Sequence, residues 1–339
     1  LARTLEGHEI TVFDALNGDF TLDAGLLATG GTSRSLADSP VIPRLAEDGT
    51  LETALDSGSW GLLAGEAPDA AGGFSFGISA VDGHTVLQDR LGLSSENVAG
   101  ASVLSLAEDT TAFVGQYDLG FARFEQYGFV GSHAEAMDGM LAGIGGALAF
   151  DFGGFGLTLG ASQIAEQGAF LGMTASDAFA LPGQTAITTA SLSASAELTS
   201  NLTLFGGAEY GIAFGGTGSG LLGEIGDAQF SGFQLGLRTT GLFQATDQLT
   251  LTASQPLRVE SGSLALEVPT GRLPDGSITY GLIEGPLAAS GRQLDIGLSY
   301  AFSPAENALM RLGVVHSFDA GHVAGASATS VGAAFTQSF

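Results

Sequence analysis

The sequence predicts an all-β protein, and more narrowly an antiparallel transmembrane β-barrel of about twelve strands that follows an N-terminal linker or plug segment. Three observations lead to this prediction. Segments of alternating apolar and polar residues recur from Trp60 onward, their polar positions carry small rather than charged side chains, and the last segment ends on a phenylalanine. We therefore assign residues 1–58 to the linker or plug and residues 59–339 to the barrel.

The N-terminal segment has an uneven pattern. Glu9 to Phe13 is typical of one strand, and stretches rich in Asp, Gly, Thr and Ser follow it, with prolines at Pro40 and Pro43. A short helix is predicted from Thr50 to Leu55, with Asp48 as its N-cap. The first twenty residues lack a basic stretch followed by an apolar one, so we expect a mature or cleaved chain without a signal peptide.

The remainder of the chain contains about a dozen alternating segments, most of them close to the ~9–11 residues that a tilted strand needs to cross a bilayer. Leu141 to Ala161 is the most apolar stretch, but Asp151 and the many glycines favour two strands joined at Gly153 and Gly154 over a spanning helix. The predicted strands are Phe74 to Ala80, Thr111 to Phe124, Leu141 to Asp151, Phe155 to Gln163, Thr188 to Leu198, Leu202 to Phe214, Phe230 to Phe243, Leu249 to Arg258, Ser263 to Val268, Arg292 to Phe302, Ala308 to Phe318 and Val331 to Phe339.

The two faces of these strands differ in a way that favours a barrel. Leu298 and its alternate neighbours are apolar, whereas Ser299 belongs to a face of small and polar residues, and Glu209 is expected to point into a wet lumen. A soluble sandwich, the alternative, usually carries many Lys, Glu and Arg residues on its wet side. The predicted lipid-facing set is Leu204, Leu237, Leu251, Leu298 and Phe335. The candidate interfacial aromatics, for any one of which a plain core position is the alternative, are Tyr210, Phe214, Phe243, Tyr300, Phe302 and Phe318.

The last strand is the most informative of the set. Val331, Ala333, Phe335 and Phe339 share one face, as expected for the final strand of a lipid-facing barrel. Gln337 lies on the same face and is less apolar, which suggests that it sits at the membrane interface.

The composition excludes several function classes. Ten basic residues, all arginine, face 36 acidic ones, and the resulting net charge of -26 disfavours a nucleic-acid partner because little would neutralise phosphates. The chain has no cysteine, so it has no disulfide, thiolate nucleophile or cysteine zinc site. Its 53 glycines follow no collagen period and are expected to punctuate strands and turns.

Several segments resemble a known family. They are Ala165-Glu-Gln-Gly-Ala-Phe-Leu-Gly172, Ser254-Gln-Pro-Leu-Arg-Val-Glu-Ser-Gly262, Leu266-Glu-Val-Pro269, Ala289-Ser-Gly-Arg292 and Ile10-Thr-Val-Phe-Asp-Ala-Leu-Asn-Gly-Asp-Phe20. Together they resemble the C-terminal region of subtilisin-like (S8) serine proteases of Gram-negative bacteria, which are built like autotransporters. The resemblance implies a protease passenger on the N-terminal side, location in the outer membrane, and a terminal aromatic signal for the barrel-insertion machinery made by Phe339, Phe335 and Val331.

Catalytic and metal-binding motifs of the expected kinds are missing from the sequence. Gly31 to Pro40 mimics the serine motif of subtilases at the wrong spacing around Ser33, and the aspartate and His-Gly motifs do not occur. The histidines have no metal-ligand spacing and are scattered at His8, His84, His133, His316 and His322. We therefore expect no catalytic residues, no metal and no cofactor.

Three function classes remain open at this level. The first is a non-catalytic outer-membrane translocator or anchor whose partners are outer-membrane lipid, the insertion machinery and an N-terminal passenger protease. The second is a surface enzyme, either a serine protease or a barrel with catalytic residues at its rim. The third is a soluble, secreted structural or adhesive β-protein. Partition into membranes separates the third class from the first, and tests of the detergent-purified chain on peptides and phospholipids discriminate the second.

Overall fold

The computed structural model describes residues 9–13, 19–23, 60–64, 74–81, 107–133, 139–173, 175, 179–305 and 308–337. Regular structure in these ranges is β, apart from one 3-10 turn at Ala320–His322. The strands are β1 Glu9–Phe13, β2 Asp19–Asp23, β3 Trp60–Ala64, β4 Phe74–Val81, β5 Ala107–Asp118, β6 Arg123–His133, β7 Met140–Asp151, β8 Phe155–Gln167, β9 Phe179–Ala180, β10 Gln184–Thr199, β11 Leu202–Phe214, β12 Gly216–Thr217, β13 Ser219–Gly220, β14 Leu222–Ile225, β15 Ala228–Thr240, β16 Gln248–Ser261, β17 Ser263–Arg272, β18 Ile278–Pro286, β19 Leu294–Ala305, β20 Ala308–Phe318 and β21 Ser327–Gln337.

Thirteen strands form one antiparallel meander in the order β21-β20-β19-β16-β15-β11-β10-β8-β7-β6-β5-β4-β3. Each strand pairs with its neighbours along the chain once the strands of the other sheets are set aside, which confirms the predicted all-β antiparallel fold. Within the described ranges, β3 and β21 each have one hydrogen-bonded neighbour in this sheet, and no ladder joins the two ends.

The two ends of the sheet have connections of different length. At one end, which we call the turn end, the connections are short: 119–122, 152–154, 200–201 and 241–247. At the other, the loop end, they are longer: 168–183, 215–227, 262–293 and 319–326. The predicted turn at Gly153 and Gly154 is confirmed, and both residues have positive φ values, 72° and 93°, which glycine adopts without a steric penalty. β21 runs from the loop end to the turn end.

Two predicted strands are assigned differently by the structure. Thr111 to Phe124 is not one strand, because the chain turns at 119–122 between β5 and β6, where the Gly120 amide bonds the Asp118 side chain. Ser263 to Val268 does not belong to the meander. It lies in β17, within a separate four-stranded sheet of order β12-β14-β17-β18 at the loop end. Alternation alone cannot tell which sheet a strand joins.

The N-terminal segment is described in part. The predicted strand Glu9 to Phe13 is confirmed as β1, which pairs with β2 and lies against β17 at the loop end. The predicted helix from Thr50 to Leu55 and the serine motif around Ser33 lie outside the described residues.

Candidate functional site

The two faces of the thirteen-stranded sheet have an inverted polarity. In the middle of β19, the Leu298 side chain is 43% exposed and packs beside Val314 of β20, whereas Ser299 is 8% exposed. A water-soluble fold buries its apolar side chains and exposes its polar ones, because burial of apolar area stabilises it. The outer face of this sheet therefore presents apolar side chains to the surroundings.

The predicted outward set agrees with this arrangement. Leu237, Leu251, Leu298 and Phe335 are exposed, and Leu204 is half-buried. The other large apolar side chains exposed on strands of the meander are Tyr117, Phe124, Val130, Met140, Ile144, Phe155, Leu159, Leu192, Leu198, Tyr210, Phe214, Phe233, Leu235, Leu294, Ile296, Leu312, Val314, Phe318 and Val331.

The inner face is polar and buried. Glu209 is buried on this face, and its predicted position in a wet lumen stays a prediction. The Ser162 and Thr189 hydroxyls share a hydrogen bond of 2.6 Å across neighbouring strands. The buried polar residues of the meander are Glu125, Thr158, Ser162, Glu166, Thr185, Thr189, Ser191, Ser193, Glu209, Gln248, Thr250, Thr252, Gln255, Asp295 and Ser299. Hydroxyl and carboxylate groups in these positions require either one another or water as partners.

Aromatic rings occupy part of the interior by lying over glycines of the adjacent strand. Four cross-strand pairs have this form: Tyr127 with Gly145, Phe129 with Gly143, Phe205 with Gly236, and Phe230 with Gly211. A β-carbon at Gly143 would lie 2.6 Å from Phe129 Cε1, so the missing side chain is what makes room for the ring. These glycines therefore serve packing in the interior rather than turn formation.

An apolar cluster, which we call the plug and which is distinct from the predicted N-terminal linker or plug segment, packs on the buried face of the meander at its loop end. It consists of buried side chains from the strands and from the loop-end connections: Tyr127, Phe129, Leu141, Ile164, Phe170, Phe179, Ile187, Ala213, Leu222, Ile225, Ala228, Phe230, Leu264, Leu266 and Val268. Leu222, Leu264 and Leu266 come from the four-stranded sheet, so that sheet packs against the buried face of the meander at its loop end.

The buried carboxylate of Glu166 anchors one turn of the plug. It accepts hydrogen bonds from the Leu171 amide at 2.7 Å and from the Gly172 amide at 3.0 Å. Both residues have positive φ values, 49° and 76°, and they join Phe170 and Met173 in a tight hairpin turn. Thr185 supports the same turn by donating to the Ala169 carbonyl at 2.9 Å.

A second group of polar contacts, the clasp, ties the loop-end connections to β16. The Arg258 guanidinium donates to the Gly291 and Ala289 carbonyls at 2.8 and 2.9 Å, and Arg292 binds Glu260 at 2.8 Å. His322 accepts a hydrogen bond from the Gln293 amide at Nδ1 (3.0 Å), and its Nε2 lies 3.0 Å from the Leu257 carbonyl. The pattern requires a neutral imidazole with its proton on Nε2.

Aromatic side chains gather near both ends of the strands. At the turn end, Phe243 makes an edge contact with Tyr300, and Tyr300 stacks on Phe302. At the loop end, Phe318 makes an edge contact with His316, and Phe214 is exposed. Tyr210, another predicted interfacial aromatic, is exposed on the same face of β11 as Phe214. Aromatic side chains therefore occur near both ends of the sheet, and their role at a membrane interface stays a prediction.

The predicted assembly residues lie at the end of the meander. Val331 and Phe335 are 76% and 59% exposed on the outer face of β21, and Phe339 lies outside the described residues. Sequence reasoning missed Glu166 and Arg258 as structural anchors. A signal was present, because both lie in the segments that carry the family resemblance. The sequence did not reveal the structural roles of these two residues, because the roles depend on which loops come together in the fold.

No protein-family model matches the sequence, and no curated protein shows significant similarity to it. No helix in the described ranges is long and apolar enough to cross a membrane. Among the same residues, no group of three or more His, Asp and Glu side chains is arranged to hold a metal ion.

Proposed function

We propose that this chain is an outer-membrane β-barrel domain of a Gram-negative bacterium that anchors and exports an N-terminal passenger, and that it is itself non-catalytic. The observation that carries the proposal is the inverted polarity of the meander, with leucine, valine and phenylalanine outside and serine, threonine and glutamate buried inside. Lipid is the solvent in which such a surface is stable. The difference between short and long connections at the two ends is also typical of outer-membrane barrels.

Strand direction limits which strands could close the sheet. β21 runs from the loop end to the turn end, and so does β3, so these two strands could only pair in parallel. β4 runs in the opposite sense and has the direction for antiparallel pairing with β21. In this structure its edge away from β5 is paired with β3, so the pairing with β21 requires β3 to leave that edge. We propose that β4 and β21 form the seam of a twelve-stranded barrel, with β3 outside that set. Closure would remove the unpaired edges of a long sheet.

The position of the N-terminal hairpin supports an export direction. β1 lies against β17 at the loop end, whereas the last strand ends at the turn end. In an outer-membrane barrel the longer loops face the outside of the cell. A passenger preceding this domain would therefore emerge on the cell surface. Its identity as a subtilisin-like protease stays a prediction that rests on the sequence resemblance.

Single introduced cysteines test the lipid-facing assignment. In a Leu298→Cys variant in vesicles, we expect reaction with a lipid-phase label and protection from an aqueous one, and in Ser299→Cys the reverse. Equal labelling of the two variants would contradict the barrel. A soluble secreted β-protein would leave both variants in the aqueous fraction, and hydrolysis of peptides that is lost in Ser33→Ala would favour an enzyme.

The seam is tested by disulfide cross-linking. A cysteine in β21 at Val331 is paired in turn with a cysteine at each position of β4 and of β3. We expect cross-links to β4 in an antiparallel register. When the β21 cysteine is placed closer to Gln337, the cross-linked β4 position should therefore lie closer to Phe74. Cross-links confined to β3, in a parallel register, would overturn the twelve-stranded closure while leaving a thirteen-stranded one.

The assembly role of the C-terminus is tested by deletion of Phe339. Because a buried phenylalanine contributes roughly 1.5–3 kcal/mol, we expect the deletion to impair insertion in cells more than the urea midpoint of refolded protein. Deletion of Ser338 with Phe339 retained is unsuitable as a control because it shifts the register, so Ser338→Ala is the matched variant. Normal insertion without Phe339 would remove this residue from the assembly signal.

A further inference from the structure

Three turns at the turn end each carry a strongly exposed phenylalanine. Phe121, Phe152 and Phe243 are 72%, 62% and 77% exposed, and each lies in a connection rather than within a strand. Phe152 stacks with Phe155 on the outer face of β8, and Phe243 contacts Tyr300 of β19. The exposed rings are therefore continuous with the apolar outer face of the meander.

Aspartate side chains satisfy the backbone amides of the same turns. Asp118 accepts from the Gly120 amide at 2.6 Å, and Asp151 accepts from the Gly153 amide at 2.8 Å. Asp247 accepts from the Leu242 and Phe243 amides at 2.7 Å each and from the Gln244 amide at 3.0 Å. A turn whose amides are already bonded loses less free energy when it leaves bulk water.

The charge at this end is acidic. Asp118 and Asp151 are exposed beside the phenylalanines. Among the described arginines near this end, Arg238 and Arg311 come from inward-facing positions, and Arg123 is bonded to Glu125 at 2.7 Å. The chain has no lysine. Among the described residues at this end, the exposed cation Arg123 is already paired with Glu125, whereas the carboxylates of Asp118 and Asp151 face the surroundings and complement an ammonium group.

We propose that these three turns rest in the headgroup layer of zwitterionic phospholipid bearing an ammonium group, with the phenylalanine rings inserted at the boundary of the acyl chains. The proposal rests on the proposed membrane-spanning function and adds the partner chemistry of one end. Amphipathic turns of this kind fix how deep the barrel sits, since both withdrawal of the rings and burial of the aspartates are unfavourable.

Tryptophan fluorescence with brominated lipids tests the depth. The chain has a single tryptophan, so Trp60→Phe provides a silent background for Phe243→Trp, Leu298→Trp and Leu282→Trp. Leu282 is an exposed leucine on β18 of the loop-end sheet and is the matched control outside the membrane. In phosphatidylethanolamine and phosphatidylcholine vesicles, we expect bromines near the headgroup to quench Phe243→Trp and bromines deeper in the acyl chains to quench Leu298→Trp. We expect no quenching of Leu282→Trp.

The outcomes separate the two proposals. Deep quenching of Leu298→Trp with none for Phe243→Trp overturns the turn-end inference and leaves the membrane function intact. Absence of quenching for Leu298→Trp overturns the membrane function. A Phe243→Trp signal that is shielded from water yet unquenched by any bromine means that protein, a second copy or another partner, covers the turns, and this also overturns the inference.

The headgroup chemistry is tested by adding phosphatidylglycerol. We expect anionic lipid to reduce the shallow quenching of Phe243→Trp at low salt, and added salt to restore it. The paired change Asp118→Asn and Asp151→Asn keeps a carbonyl acceptor for each turn amide and removes two charges, so it should abolish the effect of the anionic lipid. An unchanged response to phosphatidylglycerol in wild type, or the same response in the asparagine variant, overturns the headgroup assignment.

Discussion

Substitution of Gly211 by alanine tests whether interior glycines make room for aromatic rings. At a strand position with free space, replacing glycine by alanine stabilises by about 0.4–1 kcal/mol through the unfolded chain. At Gly211 the new methyl would lie 2.7 Å from Phe230 Cε1 and Cε2, and the Phe230 ring is fully buried in the plug. Overpacking of this kind costs about 1–3 kcal/mol, so we expect a net loss of about 1–2 kcal/mol.

The assay is the urea midpoint of protein refolded into detergent or vesicles, with the slope of the transition checked for constancy. Gly183→Ala is the matched control, because no atom lies within 4 Å of its new β-carbon. In a Phe230→Leu background the smaller side chain leaves space, and the penalty of Gly211→Ala should fall, with a coupling of about 0.5–3 kcal/mol between the two sites. An unchanged midpoint for Gly211→Ala, or an equal penalty in both backgrounds, would refute the packing argument.

Three further changes probe the outer face, the plug and the clasp. Leu298→Arg should destabilise the vesicle-inserted protein by about 2–4 kcal/mol, because the charge faces acyl chains near the middle of a strand, and the urea midpoint measures this loss. Glu166→Ala should raise channel conductance in planar bilayers, because the Leu171 and Gly172 amides lose their acceptor and the plug turn is released. Burial lowers the pKa of the His322 imidazole, so the unfolded chain binds a proton at higher pH than the folded chain does. The stability that this residue contributes is present above about pH 6.5 and is lost as the pH falls below that value. Urea midpoints measured between about pH 8 and about pH 5 will test this loss.

Each of these changes has its own control. Glu267→Arg, on the exposed face of β17, should leave stability within about 0.5 kcal/mol of wild type, in contrast to Leu298→Arg. Gln184→Ala, exposed at the loop end, should leave conductance unchanged. His322→Gln should reduce the pH dependence, and a variant with the full wild-type pH dependence would show that the acid-sensitive group lies elsewhere.

The strand pattern and the exposed apolar positions of the meander were the most predictable features. The turn at Gly153 and Gly154 and the exposure of Leu298 against the burial of Ser299 follow from alternation with a period of two, which is a local property of the chain. The predicted strand from Thr111 to Phe124 was wrong, because its alternation continues across the turn at 119–122 and only the pairing of β5 with β6 interrupts it. An alternating pattern does not reveal a tight turn when apolar turn residues, such as Leu119 and Phe121, continue the alternation.

The plug and the clasp were not predictable in the same way. Glu166 meets the Leu171 and Gly172 amides through a local turn, but its burial depends on strands far along the chain. Arg258 and Ala289 are brought together only because the chain from β17 to β18 leaves the meander and returns. Such contacts require the register of several ladders at once, which no single segment encodes.

The sequence by itself determined that this chain forms β-strands with one apolar and one small, polar face, because alternation and residue size act within a few neighbouring residues. It also determined which residues share a face, since side chains alternate between the two faces with a period of two. The tertiary structure decided which face is buried, which strands leave the meander to pack against its buried face, and which glycines receive the rings of Tyr127 and Phe230. These outcomes depend on pairing between distant strands, where the free energy of packing outweighs local preference.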